Sequence, residues 1–571
     1  MKKILVLNLT RLGDLIQSTP LITGLKRQYP GCELTLLGEV HFAGILKHLA
    51  DIDNRIVFDV KQFIEADDGN TSYLDVYRYL DGLIDSLKAQ NFDMMVNLSH
   101  SKLSALIGKA LDIRNVRGVC STPDGFKVIN DPWLMYFNTF VAFRLYNSFN
   151  LVDIYQLGGG VKPDGRRLLI NHEEPSAALK PFLSEHGILP GEKIIGLQAG
   201  ASLKVRRWPP EKFAAAADMI AERKGARILL FGAEPEKELV DEVDSHMKTP
   251  AVNLAGKTTL EQLIGLVKRC NLLVTNDTVT MHIAAAVGTP VVALFLAHAY
   301  SAETGPCSEG SIVIEPDISC FPCPHNSICP HYACLERISP KDVADAADIL
   351  PEVTNHSEPF ISINTNMKPD RFTTTRLYTN YFDEPGFIDL MPLKKERLRE
   401  TEIFSRMYRY LFVRPGVETL DDNYWMGYLK RNFIDWPEDQ TLKWIEKERR
   451  VFEKLESSAG EAMEFVSGVK SDYMKGKLDR VKKCAAAIQD FDRKIAVLAH
   501  THEELMPLVA LFDRGKQNIT DSGLEIMFEK TRLLYAGMRD SAREMARMLD
   551  VWGRERGVTQ YGEKFVGCVN P

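Results

Sequence analysis

No apolar run in this chain approaches the roughly 18 residues that a membrane-spanning helix needs, so no spanning helix is expected. A basic excess is missing too: 70 Lys and Arg stand against 77 Asp and Glu, a formal charge of −7, and nucleic acid is not an expected partner. There is also no chain-wide cysteine framework. Ten cysteines occur, but five of them lie between Cys307 and Cys334, which argues against a disulfide scaffold. The opening Met1–Leu7 is apolar after two lysines, yet Asn8, Thr10 and Arg11 cut the run too soon for a signal peptide. It reads as a first strand, and the expected location is the cytoplasm, the inner membrane face included. At roughly 150 residues per domain, the length points to three or four domains.

The chain divides by periodicity. Residues 1–175 alternate strand-like runs (Lys3–Leu9, Glu33–Leu37, Asp93–Leu98) with helical patterns such as Leu15–Arg27. Residues 61–75 read as a solvated loop in that first lobe. Residues 176–350 restart the alternation at Lys193–Gln198, Arg227–Phe231, Asn271–Thr275 and Val291–Phe295. Alternating β and α predicts parallel sheets with helices on both faces, hence two Rossmann-like lobes facing a cleft. The second lobe closes on a helix capped by Ser339 with Pro340 in its first position. Residues 351–380 read as a linker or strap, and 381–571 as an α-helical bundle of unknown role. There Leu478, Val481, Ala485, Ile488, Phe491, Ile495 and Leu498 form one apolar stripe. No chemical motif stands out in this last region.

The most telling segment is 273–295. A buried strand ends in Asn276-Asp277-Thr278, a small-residue helix carrying His282 follows, and Gly288-Thr289-Pro290 leads into a second strand. A helix that opens at a strand's carboxyl end presents free N–H groups and a positive dipole end, which suit a phosphate or diphosphate. An ordinary turn capped by Asp277 would look the same. At the other lobe, strand Lys3–Leu9 runs into Thr10-Arg11-Leu12-Gly13-Asp14, where Gly13 permits a tight turn. Asp14 can cap the helix or serve as a general base at a cleft edge.

Five features in order carry a resemblance: Arg11-Leu12-Gly13-Asp14 with Pro20; Gly196-Leu197-Gln198-Ala199-Gly200-Ala201-Ser202; Arg206-Arg207-Trp208-Pro209; Phe231-Gly232-Ala233-Glu234; and Asn276-Asp277-Thr278 with His282 and Gly288-Thr289-Pro290. Together they resemble glycosyltransferase family 9, the ADP-heptose:lipopolysaccharide heptosyltransferases, over residues 1 to about 350. The resemblance implies a GT-B fold, an inverting transfer, a nucleotide-diphosphate sugar donor (ADP-heptose) and a lipopolysaccharide-core or protein/glycan acceptor. It implies that Asp14 is the base and Arg206 the cation on the phosphates, with Lys204 and Arg207 as substitutes in an uncertain register. It assigns Gly13, Gly200, Glu234, Asp277, Thr278 and His282 to the donor, Glu234 holding ribose hydroxyls. No Asp-x-Asp pair is evident near the cleft, and no catalytic cofactor is expected. Val279 departs from the family's glycine and would be strained if that position needs positive φ. That departure leaves room for a catalytically silent scaffold whose helical region recruits a partner. The helical region is open to presenting the acceptor, to peripheral membrane association or to binding a protein. A nucleotide-sugar epimerase on the same architecture is disfavoured by the ordered motifs.

Cys320, Cys323, Cys329 and Cys334 fall within fifteen residues and open with Cys-x-x-Cys. Such a set can wrap one tetrahedral Zn or Fe ion in a structural site; reduced thiols or two disulfides in a Pro-rich loop are the alternative. Some relatives in the family have a comparable iron-binding finger. Cys307 and His325 are stand-in ligands.

Overall fold

Runs rich in Leu, Ile and Val form strands covered on both faces, as parallel sheets require: every residue of Ile194–Gln198 and of Leu272–Asn276 is buried. The structure, a computed structural model, describes residues 1–62, 72–171, 179–324, 327–354, 371–417, 419–434, 437–520 and 523–555. The first lobe's strands are β1 (Lys3–Asn8), β2 (Glu33–Glu39), β3 (Asn54–Phe58), β4 (Met94–Asn97), β5 (Val116–Ser121) and β6 (Lys127–Ile129). They lie in the order β3-β2-β1-β4-β5-β6, parallel except for the last pair. The second lobe has β7 (Ile194–Gln198), β8 (Arg227–Phe231), β9 (Ala251–Asn253), β10 (Leu272–Asn276), β11 (Val291–Leu294), β12 (Ile312–Pro316), β13 (Thr375–Phe382) and β14 (Ile388–Pro392). Their order is β14-β13-β12-β11-β10-β7-β8-β9, with the pairs β12–β13 and β13–β14 antiparallel and the rest parallel. Each sheet reverses its strand order once, beside β1 and beside β7. Ligands bind outside the carboxyl ends of strands at such points, which are the ends where Asn8, Gln198 and Asn276 stand. Two α/β lobes of this kind, followed by a helical region, are the expected GT-B class.

Local differences from the sequence reading have physical causes. The helix expected over Leu15–Arg27 is two, Leu12–Gln17 and Thr19–Gln28. Pro20 has no N–H to continue the first one, while the Ser18 and Thr19 hydroxyls donate to the carbonyls of Leu15 and Ile16. Most of the expected loop 61–75 and of the strap lies outside the described residues, although a helix starts at Tyr73 with Ser72 as its cap. The division placed at residue 380 falls inside β13. That strand, second from the sheet's edge, mixes polar and aromatic residues, and Asp389 interrupts the edge strand β14, so neither has the apolar runs that marked the central ones. Ser339 does cap the helix Pro340–Thr354, its Oγ accepting from Asp342 N at 3.1 Å.

Both lobes belong to one compact unit, Met1–Leu134 with Phe149–Lys394. A second unit joins Met135–Ser148 to the described residues from Lys395 onward. Within it the helices Glu438–Met474 and Leu524–Glu555 run antiparallel. Lys470 pairs with Glu529 at 2.9 Å, Arg543 with Glu456 at 2.7 Å, and Trp444 meets Trp552 edge-on. Residues 135–148 add Tyr136, Phe140 and Tyr146 to an aromatic cluster with Tyr408 and Phe412. The stripe expected along Leu478–Thr501 is buried only in part: Ile495 is enclosed, whereas Leu478 at its start is 49% exposed.

The second unit also holds a carboxyl pair. Glu448 is buried at 2% exposure and its carboxyl meets that of Glu504. Burial, then the Glu448 contact, pushes Glu504 up to about 7. Lys447 touches Glu448 at 2.8 Å, and His502 Nδ1 lies 3.3 Å from Glu504. A carboxyl whose folded pKa exceeds its unfolded one binds its proton more tightly when folded. That stability is complete below the unfolded value and is lost as pH rises through about 7. Glu504→Gln is therefore expected to melt above the parent at pH 8 and to show a flatter melting-versus-pH curve between 5 and 8. A parent-like slope in differential scanning calorimetry would remove the pair from that role.

Candidate active site

The carboxyl ends of β1, β7 and β10 open on one cleft of about 730 Å³ between the two lobes. That volume is in the range of pockets that enclose a small ligand. Arg11, Gly13, Asp14 and Gln17 line it from the first lobe; Arg206, Glu234, Asp277, Thr278, Val279 and His282 do so from the second.

Asp14 is the third residue of the helix Leu12–Gln17, and its Oδ2 accepts from Arg11 N at 3.2 Å. The same carboxylate that caps this helix thus also faces the cleft. Burial raises its pKa above the ordinary 3.8, while the Arg11 N–H, the Thr10 hydroxyl and the Arg11 charge pull the other way. The fully buried Tyr155 senses the Asp14 charge and bonds Thr10. Burial and that charge hold its phenol protonated.

Gly13 stands at a close approach. A Cβ there would stand 3.1 Å from Cδ2 of His282, so the glycine lets the two lobes' helices meet. His282 is 4% exposed, and its Nδ1 has no hydrogen-bond partner among the described residues. Burial lowers its pKa to about 4, which leaves the imidazole neutral near pH 7.

The turn before the helix Val279–Val287 corrects two expectations. The cap is Thr278, whose Oγ1 accepts from Thr280 N at 3.1 Å; it is not Asp277. Val279 is the first helical residue and is not among those with positive φ, so it carries no left-handed strain. Asp277 turns sideways. Its Oδ2 is 3.4 Å from Arg206 Nη1, and its Oδ1 accepts from the Thr304 hydroxyl at 3.4 Å. Of the three candidate cations only Arg206 lines the cleft. Lys204 is exposed, and Arg207 Nε donates to the Ala201 carbonyl at 2.9 Å. Trp208, fully buried, fixes this loop by donating from Nε1 to Ile338 O at 3.2 Å. Asn276 ties it down further, donating to Ala199 O at 2.7 Å.

Two glycines make room for carboxylates. A Cβ on Gly256 would lie 2.0 Å from Glu234 Oε2, and one on Gly200 only 1.9 Å from Glu236 Oε1. Gly200 therefore acts through Glu236, which accepts from Gln198 Nε2 at 3.1 Å and from Ala233 N at 3.0 Å. Gln198 in turn accepts from Thr280 Oγ1 at 3.2 Å. Glu236, Gln198 and Thr280 were missed in the sequence. Only the strand-end position of Gln198, beside the reversal of strand order, could have pointed to them.

The cysteine set forms no metal cage among the described residues, although burial and the neighbouring Cys329 and Cys320 raise the Cys334 thiol's pKa. Cys320 is exposed, Cys323 and Cys334 are buried, and all four are free thiols. Cys323 N donates to the Ala297 carbonyl, which draws that residue inward, while Cys329 Sγ accepts from Tyr332 N at 3.2 Å. Among the described residues no three His, Cys, Asp or Glu side chains form a metal group. The expected Zn or Fe site therefore has no support in the residues present. Cys307 is buried elsewhere, donating to Arg166 O, and His325 lies outside the described residues.

Residues 81–332 match glycosyltransferase family 9 (heptosyltransferase). The lipooligosaccharide heptosyltransferase 2 of Haemophilus influenzae is 28% identical over 303 residues, which are 51% of this chain and 82% of that protein. The lipopolysaccharide heptosyltransferase 2 of Salmonella typhimurium is 26% identical over 307 residues, again 51% and 82% of the two chains. Among solved structures, the family 9 glycosyl transferase from Veillonella parvula covers 61% of this chain and 97% of its own, with 24% identity and a TM-score of 0.49. Within its two α/β lobes, then, this chain is similar to glycosyltransferase family 9 over residues 81–332.

Proposed function

We propose that this protein transfers heptose, with inversion, from ADP-heptose to a saccharide of a lipopolysaccharide or lipooligosaccharide core. The observation that carries the reading is the pairing, across one cleft, of a carboxylate on the first lobe with a cation and a helix N-terminus on the second. The relatives' names supply the sugar and the kind of acceptor.

The chemistry follows from that pairing. An acceptor hydroxyl attacks the anomeric carbon opposite the diphosphate, and Asp14 takes its proton. The bond to the diphosphate breaks with its electron pair, and the charge that develops needs fixed donors rather than a proton. In this reading Arg206, the Thr278 hydroxyl and the N–H groups left over by the cap supply them, with the helix dipole adding to them. Asp277 positions Arg206 rather than meeting the phosphates. Glu234 holds the ribose hydroxyls, and neutral His282 faces the donor beside Gly13. The catalytically silent reading rests on Val279 and on the large helical region; of these, the helical backbone at Val279 carries no left-handed strain.

Thermal stabilisation by ADP-, UDP-, GDP- and CMP-linked sugars, ADP-heptose among them, tests the donor. At a hundred times its Kd, a ligand stabilises the folded state by about 2.7 kcal/mol, a clear melting shift. ADP-heptose is expected to give the largest one. Preference for another nucleotide would overturn the heptose assignment, and no shift with any of them would overturn the transferase reading.

A further inference from the structure

The uncovered start of the stripe at Leu478 lies at the tip of a helical hairpin, where Glu438–Met474 turns through Gly476 (φ +73°) into Leu478–Thr501. Met474 is 61% exposed and Leu478 49%. The helix Leu524–Glu555 begins beside them, because Phe528 stacks edge-on against Tyr473 and the two long helices are antiparallel. Its first turn adds Leu524 at 43% and Ile526 at 51% exposure.

Around these apolar side chains positive charge predominates. Residues 474–483 carry Lys475, Lys477, Arg480, Lys482 and Lys483 against the single carboxylate Asp479. Arg480 is already engaged, 3.4 Å from Asp472 and over the Phe465 ring. The four lysines are exposed and, among the described residues, their ammonium groups have neither an ion-pair nor a hydrogen-bond partner. Across the tip, Glu529 is held by Lys470 and Arg532, leaving Glu525 as the nearby acid. A basic cluster is a common solvated surface. A basic cluster set around four exposed large apolar side chains is not, since solubility alone would exclude them.

We infer that this hairpin tip docks on an anionic phospholipid surface, the lysines meeting headgroups while Met474, Leu478, Leu524 and Ile526 enter the headgroup–acyl boundary. Charge chooses among the occupants. A second copy of the same tip would set lysines against lysines across a symmetric contact. Nucleic acid would use the lysines and leave the apolar side chains in water. An anionic bilayer satisfies both sets, and juxtamembrane lysines are attracted to it within a Debye length. The chain as a whole carries −7 and is repelled by such a surface, so attachment has to be local and oriented. No helix of the described residues is long and apolar enough to cross a membrane, so the attachment is peripheral. This inference goes beyond the transfer reaction and does not depend on it.

The test is co-sedimentation of the full chain with phosphatidylglycerol–phosphatidylethanolamine vesicles, and with phosphatidylcholine vesicles. Binding to the anionic vesicles alone is expected, weakening steeply with salt. Lys475→Glu/Lys477→Glu/Lys482→Glu/Lys483→Glu should weaken it at least tenfold, and up to about a thousandfold at roughly 1 kcal/mol per lysine. Met474→Ser/Leu478→Ser should weaken it while keeping the salt dependence. An unchanged melting temperature shows that either variant is folded. Absence of binding by the parent, equal binding by the charge-reversed variant, or a concentration-dependent dimer abolished by Met474→Ser/Leu478→Ser would each overturn the proposal. The last outcome would assign the tip to a second copy instead.

Discussion

Asp14→Asn is expected to bind the nucleotide sugar as the parent does and to lose transfer by about 10²- to 10⁴-fold, the usual contribution of a positioned general base. Asparagine keeps the side-chain oxygen that accepts from Arg11 N, so the helix start at Leu12 is preserved. A stability loss therefore does not stand in for a catalytic one. Donor-induced melting shifts and single-turnover transfer separate the two. Parent-like turnover would remove Asp14 from the chemistry and leave it as a cap.

The pH profile gives the same assignment a second handle. Asp14 must be ionised to accept a proton, and burial holds its pKa above 3.8. Activity is then present above that raised value and falls as pH drops through it. His282 is expected to titrate near 4 and to stay neutral over the working range. His282→Gln should lower the rate without moving the acid limb of kcat/KM. If the limb moved with His282, that side chain would be the titrating group.

Central strands and some helix starts were legible because each is written locally. Lys3–Asn8 and Leu272–Asn276 are continuous apolar runs that end in polar residues, and Ser339-Pro340 marks a helix start by its own chemistry. The cleft's internal ties were not legible, because they join distant residues. Arg206 and Asp277 are 71 positions apart, and Gln198 meets Glu236 across 38. Nothing in either segment announces its partner. The same holds for residues 135–148, whose aromatic rings belong with Tyr408 and Phe412 in the second unit. The stripe at Leu478 shows the converse failure. Helical spacing predicts which face is apolar, but not whether another element arrives to cover it.

Arg206→Ala should cost transfer about 10²- to 10³-fold, as removal of a single donor to a developing anion does. Its effect has a second part that the pairing with Asp277 makes separable. Arg206 and Asp277 are both largely buried and 3.4 Å apart, so the guanidinium neutralises a carboxylate at the turn proposed to bind the diphosphate. Without the arginine's charge beside it, that carboxylate would repel the donor's phosphates. Repulsion should then raise the Kd for the nucleotide sugar as well as lower kcat. Arg206→Ala/Asp277→Asn should restore much of the donor affinity and little of kcat, because the carboxylate is gone but the cation is still missing. Arg206→Lys keeps a charge without the planar fork and should fall between the parent and Arg206→Ala in both. A double variant no better than Arg206→Ala in donor affinity would show that Asp277 acts on the diphosphate in its own right. In that case the ion pair would not be what positions Arg206.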